Sequence, residues 1–288
     1  TVEQNGTMLM GTDIAAAVTL LREYPIFSLG LNCSTGPDLM HNPIHALTEC
    51  FNGLISCIPN AGLPENKNGQ MVYAMSPERL GEIVDGLVKE FPIGVIGGCC
   101  GTTPEHIAAL RPVADRNKPK KPNAKEYTGE ASSLYTATSL VQSPAPALIG
   151  ERANANGSKA FREMLLEEDF EGMLAVAKEQ EETGAHFIDA CVAYAGRDEN
   201  ADMKHFMTLL NKTLTTPVVI DSTEPDVVLT ALKSFAGKPV INSINFEDGG
   251  EKLHQILRAV KQHPAAVIAL TIDEDGMAMT ADKKFEIA

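Results

Sequence analysis

Apolar residues along this chain fall in short continuous runs, and between the runs they recur at three- and four-residue spacing. Runs at 27–33 (FSLGLNC), 53–62 (GLISCIPNAG) and 93–100 (IGVIGGCC) predict buried strands. Residues 77–90 (PERLGEIVDGLVKE) open on Pro and place apolar residues on one helical face, and 104–114 open the same way, so both predict helices. The pattern then repeats. Strands are predicted at 147–152 (ALIGER), 186–193 (HFIDACVA), 217–222 (PVVIDS), 239–245 (PVINSIN) and 266–273 (AVIALTID), with helices at 159–167, 169–183, 199–211, 225–236 and 250–262. Continuous apolar strands alternating with amphipathic helices specify an α/β fold with parallel sheets and right-handed crossovers.

Residues 116–146 break this rhythm. They are rich in Pro, Lys, Ser, Thr and Ala, lack a sustained apolar period, and predict a linker with local order around Leu134 to Val141. Three strands precede this stretch and five follow it, whereas a (β/α)8 barrel needs eight strands and about 250 residues. Neither half closes alone. The expectation is therefore parts of two (β/α)8 TIM-type barrels, over 1–115 and 147–288, joined by the linker. In the second half a polar residue stands at the C-terminal end of each strand: Glu151, Asp189, Asp221, Asn242 and Asp273. A barrel places its active site at that rim, but an open doubly wound sheet binds ligands there too, so periodicity leaves both open.

Hydrophobic residues make up 44% of the 288, enough for packed cores. Lys and Arg number 24 against 38 Asp and Glu, a net charge of −14, which argues against a nucleic-acid partner. No apolar run approaches the ~20 residues of a membrane span, and Thr1 to Met10 carries an acidic residue and no basic start, so no membrane association and no signal peptide are expected. A cytoplasmic protein is the expectation. The first residue is Thr rather than Met, which fits a processed, trimmed or partial chain.

Six cysteines are present, and in a chain of this kind clustering points to metal or catalysis rather than disulfides. Cys33 ends one predicted strand, and Cys99 and Cys100 end another inside the glycine-rich run Gly97–Gly98–Cys99–Cys100–Gly101. Strand ends at one rim face a common centre, and three thiolates with one open position describe a catalytic rather than a structural zinc site. The competing reading is buried core thiols, which suits Cys50 and Cys57. It does not account for adjacent cysteines between glycines. The polar strand ends of the second half likewise have a plain alternative, since Asp and Asn there often cap helices or start turns. Glu151 and Arg152 also suit a structural ion pair.

The segments GLNCSTGP (30–37), PNAGLP (59–64) and VIGGCCGTTPEHI (95–107) resemble the zinc motifs of the homocysteine S-methyltransferase family. The resemblance runs from residue 1 to about 114 and covers the C-terminal half of that family's barrel. It implies that Cys33, Cys99 and Cys100 bind zinc and that the homocysteine sulfur takes the open position. LIGERANANGS (148–158), FIDACVAYAGRDE (187–199), VVIDSTEPDV (218–227), VINSINFEDG (240–249) and LTIDEDG (270–276) resemble the pterin-binding barrel of methyltransferases. They match its N-terminal part and imply that Glu151, Asn154, Asp221 and Asn242 hold 5-methyltetrahydrofolate, with Asp189 and Asp273 in the same ring of donors and acceptors. Cys191 stands where many relatives carry Asn, and Ala153 where Thr or Cys is usual.

Zinc segment, linker and pterin segment in this order resemble the cobalamin-dependent methionine synthase family. The resemblance implies methyl transfer from 5-methyltetrahydrofolate through cobalamin to zinc-bound homocysteine, forming methionine. No Asp-x-His-x-x-Gly pattern occurs, so cobalamin is expected on a module held in cis or in trans. The alternatives are a non-catalytic or inactive fragment acting as a binding module, and a pterin-dependent corrinoid methyltransferase. The thiolate motif separates the second from the first reading, because a corrinoid acceptor needs no thiol site.

Overall fold

The computed structural model describes residues 1–122 and 127–288. The linker expected over 116–146 therefore falls partly outside the described residues. Two compact units divide the chain, Thr1–Tyr127 and Thr128–Ala288.

The first unit begins with α1 (Ile14–Leu21), followed by β1 (Ser28–Asn32), α2 (His41–Cys50) and β2 (Leu54–Ile58). A hairpin of β3 (Pro64–Lys67) and β4 (Gln70–Tyr73) comes next, then α3 (Pro77–Glu90), β5 (Ile93–Ile96) and α4 (Pro104–Arg116). The three long-range strands pair in parallel in the order β1-β2-β5. One core, with Ile44, Ile55, Leu80, Val84 and Ile93 fully buried or nearly so, holds the helices against this sheet.

The second unit opens with a short hairpin, β6 (Glu130–Ser132) and β7 (Ala137–Ser139). Ser132 pairs with Lys238, so part of the expected linker is built into this unit. Gly237 allows the approach: a Cβ there would lie 2.3 Å from the Ser132 carbonyl oxygen. The chain continues through β8 (Ile149–Gly150), α5 (Lys159–Leu166), α6 (Phe170–Glu182), β9 (Phe187–Ala190), α7 (Glu199–Thr213) and β10 (Val218–Asp221). It then forms α8 (Pro225–Ser234), β11 (Val240–Ile244), α9 (Glu251–Gln262) and β12 (Ala266–Ala269). A small hairpin, β13 (Ile272–Asp273) and β14 (Gly276–Met277), precedes α10 (Ala281–Ile287).

Strands β8 to β12 form one parallel sheet in strictly sequential order. No reversal of strand order occurs, and a doubly wound sheet requires one. The topology is thus that of a partial TIM-type barrel. Period two sorts the side chains: Ile188, Ile220 and Ile241 pack under the helices, whereas Phe187, Val219 and Val240 line the opposite face. Ala131 and Leu140 of the β6–β7 hairpin cover the apolar end of that inner face.

Local chemistry explains where the helices begin. Ser76, Ser158, Asp169 and Asp198 accept backbone N–H groups three residues on at the starts of α3, α5, α6 and α7. Pro occupies the first turn of α3, α4 and α8, where its missing donor costs nothing. No described helix is long and apolar enough to cross a membrane.

The core of the second unit depends on aromatic packing. Phe206 is fully buried and meets Phe161 edge to face at 5.6 Å. Phe206→Ala should destabilise this unit by about 3–5 kcal/mol in urea unfolding followed by circular dichroism. A loss below about 1 kcal/mol would mean that the helical layer collapses onto the vacated space.

Candidate functional site

Each unit gathers chemistry-bearing residues at the C-terminal ends of its parallel strands. In the first unit, Cys33 follows β1 and takes φ 65, as does Ser34. Left-handed backbone at two consecutive non-glycine residues costs about 1–3 kcal/mol each. The turn is held by Cys33 N–H on the Ile58 carbonyl (3.0 Å), Thr35 N–H on the Cys33 carbonyl (2.8 Å) and the Ser34 hydroxyl on Glu3 (2.7 Å). The result swings the Cys33 sulfur toward the end of β5.

Cys99 and Cys100 arrive from β5 through Gly97 and Gly98. The Cys99 N–H donates to the Pro59 carbonyl (2.8 Å), Ala61 N–H to the Cys100 carbonyl (2.9 Å), and Cys100 N–H to the Asn60 side-chain oxygen (3.1 Å). The PNAG loop after β2 therefore clamps both cysteines, and Asn60 is buried in doing so. Cys33 and Cys100 sulfurs lie 3.6 Å apart and those of Cys99 and Cys100 3.9 Å, and all three sulfurs fall within 4.8 Å of one another. Three sulfurs bound at 2.3 Å in a tetrahedron would stand about 3.8 Å apart, so the spacing fits a single zinc ion.

The thiols differ in electrostatics. The Ser34 backbone N–H, with further hydrogen bonds from the Cys100, Cys99 and Asn60 side chains, holds Cys33 below the ordinary thiol range. Burial and the neighbouring sulfurs push Cys99 up. Cys57, by contrast, is a core thiol against Met40 (3.8 Å), and burial pushes it up to about 12. His106 is structural: its Nδ1 accepts from Thr103 N–H (3.1 Å), leaving Nε2 to donate to the Met75 carbonyl (2.9 Å).

The second unit brings together Asn154, Asp189, Asp221 and Asn242. Asp189 lies within β9, Asp221 ends β10 and Asn242 lies in β11, all on the inner face; Asp221 and Asn242 are register partners. Asn154 reaches them because the chain after β8 rejoins β9, with Ala155 N–H on the Cys191 carbonyl (2.9 Å) and Cys191 N–H on the Ala153 carbonyl (3.1 Å). Its amide nitrogen donates to Asp189 and to Asp221, each at 2.8 Å, while its oxygen accepts the Asn156 and Gly157 N–H groups, both at 2.9 Å. Asn154 thus spends its amide on the protein and fixes the two carboxylates. Asn242 donates to the other oxygen of Asp221 at 3.4 Å.

Asp221 does not cap α8, which starts at Pro225 with no side-chain cap bond. In place of the capping alternative, the Asp221 carboxylate accepts from Asn154 and Asn242. Glu151 is exposed beside it and acts on both aspartates through its charge. Arg152 pairs with Glu179 at 3.3 Å, in place of the Glu151–Arg152 pair considered from sequence. Burial lifts Asp189 to about 6, opposed by the Asn154 hydrogen bond and reinforced by the charges of Asp221 and Glu151. Asp221 is raised by burial as well. Cys191 is buried, accepts from the Asn156 amide at 3.5 Å and stays a thiol, pushed up to about 11 by burial.

Asp273 is not brought into this group. Strand β12 ends at Ala269, and Asp273 sits in the β13–β14 hairpin, where Lys283 binds it at 2.7 Å and holds its carboxyl below the usual range. The apolar run 266–273 reads as one strand, but β12 stops at Ala269, and Ile272 and Asp273 pair with Met277 and Gly276 in a separate hairpin. Sequence reasoning also missed the β3–β4 hairpin, which brings Tyr73 to the sulfurs. Its signal is plain in retrospect: Asn68–Gly69, with φ 55 and 83, is the two-residue turn that joins closely twisted strands.

Comparisons with known proteins follow the same division. Residues 1–114 match the family model described as homocysteine S-methyltransferase, and residues 150–287 that described as pterin binding enzyme. The chain is 42% identical to a methionine synthase of Mycobacterium leprae and 43% identical to one of Mycobacterium tuberculosis, in each case over the whole of this chain and 24% of the relative. It therefore spans about a quarter of the length of these curated relatives.

The electrostatics of Asp189 make a stability prediction. Its folded pKa, about 6, lies above the ordinary aspartate value, so the folded state holds the proton more tightly and loses stability as pH rises from about 4 to 6. Asp189→Asn keeps an acceptor for Asn154 without the charge. It should raise the melting temperature at pH 7.5 by an amount equivalent to about 1–2 kcal/mol, with no gain at pH 4. An equal effect at both pH values would show that charge burial is not the cause.

Proposed function

We propose that this chain, whose residues 1–114 match the homocysteine S-methyltransferase model and whose residues 150–287 match the pterin binding enzyme model, supplies the two substrate sites of methionine synthesis. Homocysteine is the acceptor at the thiolate site and 5-methyltetrahydrofolate the methyl donor at the carboxylate site. The observation that carries the reading is the convergence of three cysteine sulfurs within 4.8 Å at a strand-end rim.

Cys33, Cys99 and Cys100 are the residues to hold zinc. Bound there, zinc supplies a Lewis acid that keeps an incoming thiol deprotonated at neutral pH, which makes it a nucleophile toward a methyl group. A free thiol has a pKa of about 8.5, so without such help only a minority is reactive. The protein's own part is to hold three sulfurs at fixed spacing and to leave the fourth side open. Cys100 is exposed, and Gly98 and Gly101 on either side of the cysteine pair let Thr102 and Tyr73 pack against the backbone of the loop.

In the carboxylate site, Asp221 accepts from the amino group and ring N–H of the pterin, a paired contact that gives both affinity and orientation. Asn242 and Glu151 serve its remaining polar edge. Asn154 contributes by clamping Asp189 and Asp221 rather than by touching the ring, since its amide is already bonded. Asp189, buried below, sets the charge of the site. Cobalamin, the carrier implied by the family resemblance, is assigned to a module in cis or in trans.

An inactive fragment that keeps the motifs is the rival reading, and metal content separates the two. Elemental analysis of the purified chain should give about one zinc, lost in Cys99→Ser, and homocysteine should then release a proton near neutral pH as its thiol meets the metal. A folded parent without zinc would overturn the thiolate reading. At the second site, Asp221→Ala should weaken 5-methyltetrahydrofolate binding by at least about tenfold in calorimetry, the loss expected for a charged hydrogen-bond pair. Unchanged affinity would remove Asp221 from the site.

A further inference from the structure

Tyr73 stands at the sulfur cluster, yet neither the motifs nor the reading above gives it a role. It ends β4 and is paired with Pro64 at the foot of the hairpin. Met75, two residues on, is anchored twice: its N–H donates to the Ala61 carbonyl (3.1 Å), and its carbonyl accepts from His106 Nε2 (2.9 Å). Ala61 N–H in turn holds the Cys100 carbonyl, and His106 holds the turn that follows Cys100. The hairpin foot and the cysteine loop are thus tied to the same two anchors.

Glycine at position 101 makes room for the ring. A Cβ there would lie 2.3 Å from both Cβ and Cγ of Tyr73, and the residue has φ +76, so no side chain is accommodated. The half-buried ring covers Gly101, the residue that follows Cys100, which brings the Tyr73 side chain beside the exposed sulfur. Cys100 is the exposed member of the three.

We propose that Tyr73 is a positioning residue of the thiolate centre, donating its O–H to the Cys100 sulfur. The inference rests on the reading of that cluster as a metal site. Three thiolates around a dication leave one net negative charge, and a substrate thiolate adds a second. A donor directed at one sulfur draws off electron density and eases both the packing of the three anions and the arrival of the fourth. Such outer hydrogen bonds orient ligands and tune the metal they bind.

Cobalt(II) reports on this directly, because its sulfur-to-metal charge-transfer band follows the electron density on sulfur. The 288-residue chain, Tyr73→Phe and Gly101→Ala are each titrated with cobalt(II) and compared by absorption, with circular dichroism to verify folding. Tyr73→Phe keeps the ring and removes only the O–H. It should move the band to lower energy and weaken cobalt binding by about tenfold. Gly101→Ala keeps the hydroxyl but displaces the ring, and should shift the band in the same direction. An unchanged band and affinity in Tyr73→Phe, with one cobalt bound per parent chain, would overturn the role of Tyr73 and leave the thiolate site standing. A parent chain that takes up no cobalt would overturn the thiolate reading and this inference with it.

Discussion

Parallel pairing between strands that are neighbours in sequence governs everything else in this molecule. A parallel pair needs a crossover of a dozen or more residues, and a helix supplies it. Each strand then starts at one end of the sheet and finishes at the other, so all C-terminal ends share a rim. In the sheet β8 to β12 the order is sequential, and the period of two places Asp189, Asp221 and Asn242 on the inner face above Phe187, Val219 and Val240. The polar cluster and the apolar interior are therefore consecutive levels of one face.

Building polar groups into that rim is costly, and the structure shows how the cost is contained. The buried Asp189, the half-buried Asp221 and the exposed Glu151 repel one another. Asn154 offsets part of this by donating to both aspartates, and its oxygen is tied down by two backbone N–H groups. The aspartates remain raised in pKa, which leaves a site poised for a ligand rich in N–H donors. In the first unit the corresponding cost is backbone strain at Cys33 and Ser34, met by the hydrogen bonds they donate to β2 and to Glu3. Strain held this firmly is characteristic of sites where a side chain must point in one direction.

The two sites draw on different kinds of loop. The thiolate site is clamped by backbone hydrogen bonds from the PNAG segment and shielded by a hairpin with its own turn signal. The carboxylate site is held by side chains on strands and by a loop that rejoins β9 after β8. Under the proposed function, rigid strands suit the recognition of a flat ring, and the cysteine site needs sulfurs at fixed spacing and one open side.

Much of this was legible in the chain. Helix α3 begins and ends where the Pro and the apolar spacing place it, at 77 and 90, and the eight long-range strands fall within their apolar runs. Strand-end chemistry was legible too, because short-range periodicity is set by backbone geometry that each residue carries with it. What the sequence could not settle are contacts between distant positions. Cys33 and Cys100 are 67 residues apart, as are Asn154 and Asp221, and only the parallel pairing of strands within each unit brings either pair together. The same holds for Asp273, which shares the pattern of the other strand ends but is drawn off by a turn and Lys283. Tyr73 has no motif at all and reaches the sulfurs through a hairpin docked by His106. Residue types and their periods determined which groups were available at the rim. Packing, strain and hydrogen-bond saturation, which depend on all neighbours at once, decided which of them meet.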